Sequence, residues 1–249
     1  MSEYANLKDR TALVTGAASG MGAATAELLA AAGARVALLA RRRDRLEQLA
    51  AATGGLPVVA DITDPGAVAA AVRTVHEAVG PVDLVVNAAG VMLPNPLDAG
   101  REDEWVRMID TNLTGALRII RGFGPDLVAA AAAGRPADLV NVSSIGAHVT
   151  FPAYAVYGAT KAALTHLSAT LRTELGPRDV RVTNIEPGLT DTELGGHIDN
   201  PELSGQLAGM FGAIGPLAAA DVADLIAYAV SRPRHVNLRQ LVVLPTRQA

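Results

Sequence analysis

The chain has 249 residues, half of them hydrophobic and only 3% aromatic, which suits one α/β core built from Ala, Val, Leu and Ile. A formal charge of −4 and the absence of cysteine argue against a general nucleic-acid partner, disulfides and thiolate metal sites. The five histidines form no tight pair, so no metal is expected, and no apolar run reaches membrane-spanning length.

The first ten residues are polar and lack an apolar signal core. The first predicted strand is Thr11 to Thr15. Gly16-Ala17-Ala18-Ser19-Gly20-Met21-Gly22 follows, then an Ala/Leu-rich helix to about Ala32. Strand, glycine loop and helix make a diphosphate cradle: glycine lets the backbone approach an anion, and the helix start offers free N–H groups. Further strands are expected near residues 35–40, 56–60, 82–86, 137–142, 180–185 and 239–244, with helices between them. Such alternation predicts an α/β fold of the Rossmann type: a doubly wound, seven-stranded parallel sheet with helices on both faces. Continuous apolar strands such as Leu84-Val85-Val86 suit a sheet covered on both sides. One catalytic domain is expected over residues 1–249.

The fifth strand runs into Ser143-Ser144, and Tyr157 and Lys161 stand four apart at the start of a long helical pattern. That spacing puts phenol and ammonium on one helix face. A free tyrosine titrates near 10. A cation about 4 Å away contributes roughly 4 kcal/mol at an effective dielectric near 20, so Lys161 is expected to lower the Tyr157 pKa. With Ser144 holding an oxygen, the three groups suit general acid–base work at a carbonyl or alcohol. Met92, Leu93, Ile145, His148, Val149, Tyr154, Leu189 and Met210 are candidates for a mainly apolar substrate pocket. A solvated loop histidine is the alternative for His148, and core packing for Ile145 and Leu189.

In order, Thr15-Gly16-Ala17-Ala18-Ser19-Gly20-Met21-Gly22, Asn87-Ala88-Ala89-Gly90, Asn112, Ser144, Tyr157, Lys161 and Pro187-Gly188 resemble the short-chain dehydrogenase/reductase family over nearly the whole chain. The resemblance implies reversible hydride transfer between a nicotinamide cofactor and a carbonyl. Tyr157 would be the acid/base, Lys161 would also hold the nicotinamide ribose, Ser144 would orient substrate, and Asn112 would support a water-linked relay. Ser143 is the neighbouring candidate; the thirteen-residue offset to Tyr157 favours Ser144. Asp61 and Ile62 would contact adenine. Asn87, Ala88 and Gly90 would contact the cofactor by backbone. Pro187, Gly188, Thr190 and Thr192 would contact the carboxamide and phosphate, with a helix cap as the alternative for Thr192. Residues 190–216 would form a substrate lid.

The second strand ends at Ala40, where an NAD enzyme usually places an acid for the ribose 2′-hydroxyl, and Arg41-Arg42-Arg43 follow. Arg41 and Arg42 are therefore expected to bind the 2′-phosphate of NADP(H). The chain ends without the family's usual Gly-rich segment, which resembles a smaller NADP-dependent branch that includes hydroxy-acid dehydrogenases. A homotetramer or homodimer and a cytoplasmic location are implied. The rival readings are a non-catalytic NADP-sensing protein and an imine or double-bond reductase.

Overall fold

In the computed structural model, which describes residues 4–248, seven strands form one sheet. Residues 1–3 of the polar start, and Ala249, lie outside it. The strands are β1 (Thr11–Thr15), β2 (Arg35–Ala40), β3 (Leu56–Val59), β4 (Leu84–Asn87), β5 (Asp138–Val142), β6 (Arg181–Pro187) and, after a separate pair, β9 (Gln240–Val243). Their order is β3-β2-β1-β4-β5-β6-β9 and every pairing is parallel. The separate pair is β7 (Thr190–Asp191) with β8 (Leu217–Ala218).

Helices cover both faces, which is why every residue of β1, β4, β5 and β6 is buried. On one face α1 (Gly20–Ala31), α2 (Arg43–Thr53) and α8 (Ala219–Val230) bring Ala26, Leu29, Leu46, Val222 and Ile226 onto Val14, Leu38 and Val86. On the other, α3 (Pro65–Val79) and α5 (Ala116–Ala132) bring Val68, Val75, Ile119, Phe123 and Leu127 onto Leu13, Leu39 and Val85. There α6 (Ala155–Leu175) adds Leu171 and Leu175. Glycines in the left-handed region close two of the helices: Gly54 caps α2 at φ 70° and Gly134 follows α5 at φ 76°.

Buried ions fix the strand starts. Arg10 donates to Asp83 Oδ1 at 2.6 Å and Asp138 Oδ2 at 2.8 Å, and Arg181 reaches the same Asp138 oxygen at 2.8 Å. This clamp ties β1, β5, β6 and the approach to β4 together at the end of the sheet opposite the glycine loop.

Two features position the site. The order of strand addition reverses between β1 and β4, opening a crevice at their carboxyl ends, where ligands of such folds bind. Thr15 bridges that crevice, its Oγ1 accepting from Ala88 N at 3.1 Å and Ala89 N at 3.2 Å. Second, α4 (Glu102–Ile109) runs into α5 through a π-helical turn, Asp110–Gly115, that contains Asn112. Such turns cluster at functional sites.

Candidate active site

The glycine loop is shaped for backbone approach. Gly16 has φ 69°, and a Cβ there would lie 2.9 Å from the Ala89 backbone. A Cβ on Gly22 would lie 2.4 Å from Gly16 O, so only glycine lets α1 start so close to β1. The groove beyond is lined by Gly16, Ser19, Gly20, Met21 and Gly22, by Arg41 and Arg42, by Asp61 and Ile62, by Ala88 and Gly90, and by Tyr157, Lys161 and Thr192. Arg42 donates to Ser19 Oγ at 2.7 Å and to Glu193 Oε2 at 2.7 Å. A glycine cradle that a Cβ would fill, and a carboxylate already held by Arg42 and Ser19, both fit the phosphates of a dinucleotide.

Asn87 is the last residue of β4. Its side chain is buried in the sheet and donates to Asn141 Oδ1 at 2.9 Å, while Ala88 and Gly90 face the groove. Pro187, Gly188 and Thr190 line the neighbouring cavity, and Thr192 lines both. Thr192 also caps the 3₁₀ helix Glu193–His197, accepting from Leu194 N at 3.4 Å.

Tyr157 lies where groove and cavity meet and lines both. Ser144 hydrogen-bonds its phenol. Ser144 is held by its own turn, its Oγ accepting from Gly146 N at 3.0 Å. Ser143 is spent on structure: it donates to Lys161 O at 2.9 Å and accepts from Thr165 at 2.9 Å. The thirteen-residue offset therefore selected the serine beside the phenol.

Lys161 shares the α6 face with Tyr157, but its Nζ donates to Val142 O at 2.9 Å and lies 5.8 Å from the phenol ring centroid. The expected downward pull on Tyr157 is not what the protein alone gives. Burial pushes the phenol up to about 12, with the Ser144 hydrogen bond working against the rise and nearby Tyr154 adding to it. Burial likewise pushes Lys161 down to about 8. Desolvation of two groups nearly without solvent contact outweighs their mutual attraction.

Asn112 acts as a bracket. Its Oδ1 accepts from Val91 N at 2.8 Å, and its Nδ2 donates to Val91 O at 2.9 Å and to Thr160 Oγ1 at 3.1 Å. The side chain thus joins the groove wall to α6, with both polar atoms bonded to residues other than Lys161. A Cβ on Gly90 would lie 3.3 Å from Asn112 Oδ1 and 3.6 Å from Lys161 Nζ, so the three residues meet.

The cavity beside Tyr157 has a volume of about 840 Å³. Ile145, His148, Val149, Tyr154, Leu189, Met210 and Met92 line it, as expected. Leu93 does not; it is buried with Val91 and Met108. One wall is α7 (Pro201–Ile214), whose Leu203, Leu207, Met210 and Phe211 share a helical face over the cavity. His148 is solvent-exposed, as the loop alternative has it, but it is tethered. Its Nε2 lies 2.9 Å from Oε1 of Glu186, a carboxylate without solvent exposure that also accepts from Thr165 and Asn184 at 2.8 Å and from Gln240 at 2.9 Å. Sequence reasoning missed both Glu186 and Glu193. Only the position of Glu186, directly before Pro187-Gly188, was a signal.

The family profile described as short chain dehydrogenase matches residues 10–202. The chain belongs to the short-chain dehydrogenase family. A serine 3-dehydrogenase of Agrobacterium fabrum is 37% identical over 249 residues, covering 96% of this chain and 95% of that protein. The closed form of a serine dehydrogenase complexed with NADP+ superposes with a TM-score of 0.87 at 29% identity, covering 96% of each chain. A 3-ketoacyl-(acyl-carrier-protein) reductase from Brucella melitensis complexed with NADH gives 0.87 at 28% identity, covering 98% of this chain and all of that one. This short-chain dehydrogenase is accordingly an oxidoreductase that uses a nicotinamide cofactor for carbonyl or alcohol chemistry. Among the described residues no helix is long and apolar enough to cross a membrane.

Proposed function

We propose that this chain reduces an uncharged aldehyde or ketone to the alcohol, with NADPH as donor and Tyr157 as general acid. The observation that carries the reading is the position of Tyr157, buried at the junction of groove and cavity with Ser144 bonded to its phenol. A phenol pushed up to about 12 is protonated at neutral pH, the form a reductive proton donor needs.

The cofactor would lie along Gly16, Ser19, Gly20, Met21 and Gly22, with Asp61 and Ile62 at adenine and Lys161 at the nicotinamide ribose. Arg42, supported by Arg41, would take the 2′-phosphate, because β2 ends at Ala40 without an acid to repel it. Bound NADPH supplies the hydride. Ser144 holds the substrate oxygen and Tyr157 gives it a proton as negative charge develops there. Lys161, still mostly charged at neutral pH, steadies the phenolate left behind. Asn112 keeps the groove wall against α6 so that these groups stay in register. Residues 190–216 serve as the substrate lid, with the apolar face of α7 as its inner surface.

The cavity supports a neutral substrate. Among the described residues no Lys or Arg lines it, and its acid is Glu202. A free amino acid such as serine, which names several relatives, would find no cationic partner for its carboxylate there. The stretches 107–112, 186–188 and 190–198 resemble clavulanic acid dehydrogenase, an aldehyde reductase, which supports the reductive direction. Exposed Val106, Ile109 and Leu117 on the α4–α5 face, with exposed Tyr228 and Val242 elsewhere, support subunit contacts and a homotetramer or homodimer; a cytoplasmic location goes with the same reading.

The test is NADPH consumption with a panel of apolar aldehydes and ketones, and serine oxidation with NADP+, using the protein and its Tyr157→Phe variant. Turnover of apolar carbonyls, cut about 10²- to 10⁴-fold in the variant with NADPH binding retained, is expected. Near-normal turnover by the variant overturns the acid role, and a preference for serine overturns the substrate class.

A further inference from the structure

Glu193 lies near the start of the lid yet sits in the cofactor groove. Its Oε2 accepts from Arg42 Nη1 at 2.7 Å, its Oε1 lies 4.0 Å from Arg45 Nη2, and Ser19 hydrogen-bonds it as well. The other arm of Arg42 is also engaged, donating to Ser19 Oγ at 2.7 Å and Ala18 O at 3.3 Å. The guanidinium that a phosphate needs is therefore already gripping an anion from its own chain. Neighbouring contacts hold that anion in place. Thr192 packs over the glycine loop, where a Cβ on Gly20 would lie 3.2 Å from its methyl carbon. Downstream the lid is tied by Asp199 to Arg101 at 3.0 Å and by Asn200 to Asn95 at 3.1 Å.

We infer that Glu193 is an internal competitor for the 2′-phosphate and sets how strongly this protein prefers NADPH to NADH. The inference rests on Arg42 as the phosphate ligand. A 2′-phosphate must replace the Glu193 carboxylate on Arg42 and Ser19, because two anions cannot share one fork without repulsion. A 2′-hydroxyl brings no charge and leaves Glu193 where it is. NADPH therefore binds against its own lid, and its arrival releases Glu193, near the start of that lid, from the groove. NADH does neither.

The experiment is fluorescence titration of NADPH and of NADH into the protein, Glu193→Gln, Arg42→Ala and the double variant, without substrate. Both side chains are partly exposed, so the pair is in the weak range, and Glu193→Gln is expected to tighten NADPH about 2- to 5-fold. NADH affinity should stay within about 2-fold, and the gain should vanish in the Arg42→Ala background. Unchanged or weaker NADPH binding in Glu193→Gln, with the parent still preferring NADPH, overturns the competitor. Weaker NADH binding alone also overturns it, since the carboxylate would then be a ribose ligand. A parent that binds NADH more tightly than NADPH instead overturns the assignment of Arg42.

Discussion

Replacing Lys161 by Met should stabilise the folded chain at neutral pH while abolishing its chemistry. Lys161 is 6% exposed and burial brings its pKa from the ordinary 10.5 to about 8. The unfolded chain therefore holds the proton more tightly than the folded one. A drop of that size corresponds to about 3 kcal/mol against folding at pH values below both. Methionine fills similar volume without a charge to bury, but gives up the hydrogen bond to Val142 O, a loss of about 1 kcal/mol. The net expectation near pH 7 is a gain of roughly 2 kcal/mol. The sign with pH follows from the depressed pKa. The penalty is complete below about 8 and fades as pH rises toward 10.5, because the unfolded lysine then also loses its proton. Between about pH 7 and about pH 9.5 the parent should gain roughly 2 kcal/mol on the variant. Tyr157 contributes little there, since its folded pKa of about 12 and ordinary value of 10.0 both lie higher. Urea unfolding of both proteins at the two pH values, without nucleotide, reads this directly. Parallel stability profiles for parent and variant would refute a buried, proton-poor lysine.

Three further outcomes follow from specific contacts. Gly22→Ala puts a methyl group 2.4 Å from Gly16 O. It should cost about 1–3 kcal/mol in urea unfolding and weaken nucleotide binding at the same time. Asp138→Ala strands Arg10 and Arg181 in the buried clamp below the sheet, and should cost about 3–5 kcal/mol in the same assay. Ser144→Ala removes the phenol's partner and should lower kcat about 10²-fold in steady-state kinetics, with thermal stability nearly unchanged because Ser144 is partly exposed.

The strands were legible because a sheet covered on both faces needs continuous apolar runs. All seven expected strands are present, with ends displaced by no more than two residues. The β7–β8 pair was not legible, since two residues on each side carry no periodicity and meet only through tertiary closeness. Residues 190–216 were read as a lid, but the helix within them was not. Asn200 in fact caps α7 by accepting from Glu202 N and Leu203 N, and the scattered Leu203, Leu207, Met210 and Phe211 become one helical face. At the site, helix geometry turned the four-residue interval of Tyr157 and Lys161 into a shared face, and the glycine loop with the family resemblance gave that pair and Ser144 their meaning. Spacing did not find their electrostatics, which depend on burial supplied by distant segments. Nor did it find the hold of Glu186 on His148 or of Glu193 on Arg42, since those partners stand 38 and 151 residues apart.

The π-turn at Asp110–Gly115 makes the length of this stretch as consequential as its side chains. Such a turn holds one residue more than an α-helical turn. Deleting one of its residues would let the stretch close into regular α winding with both flanks near their present orientation, so the change would be felt within the turn itself. Asn112 would lose the widened turn that seats its amide on Val91 and Thr160, while Ile119, Phe123 and Leu127 would keep their place on the sheet. The extra residue of this turn therefore serves the placement of Asn112 rather than the packing of α4 and α5.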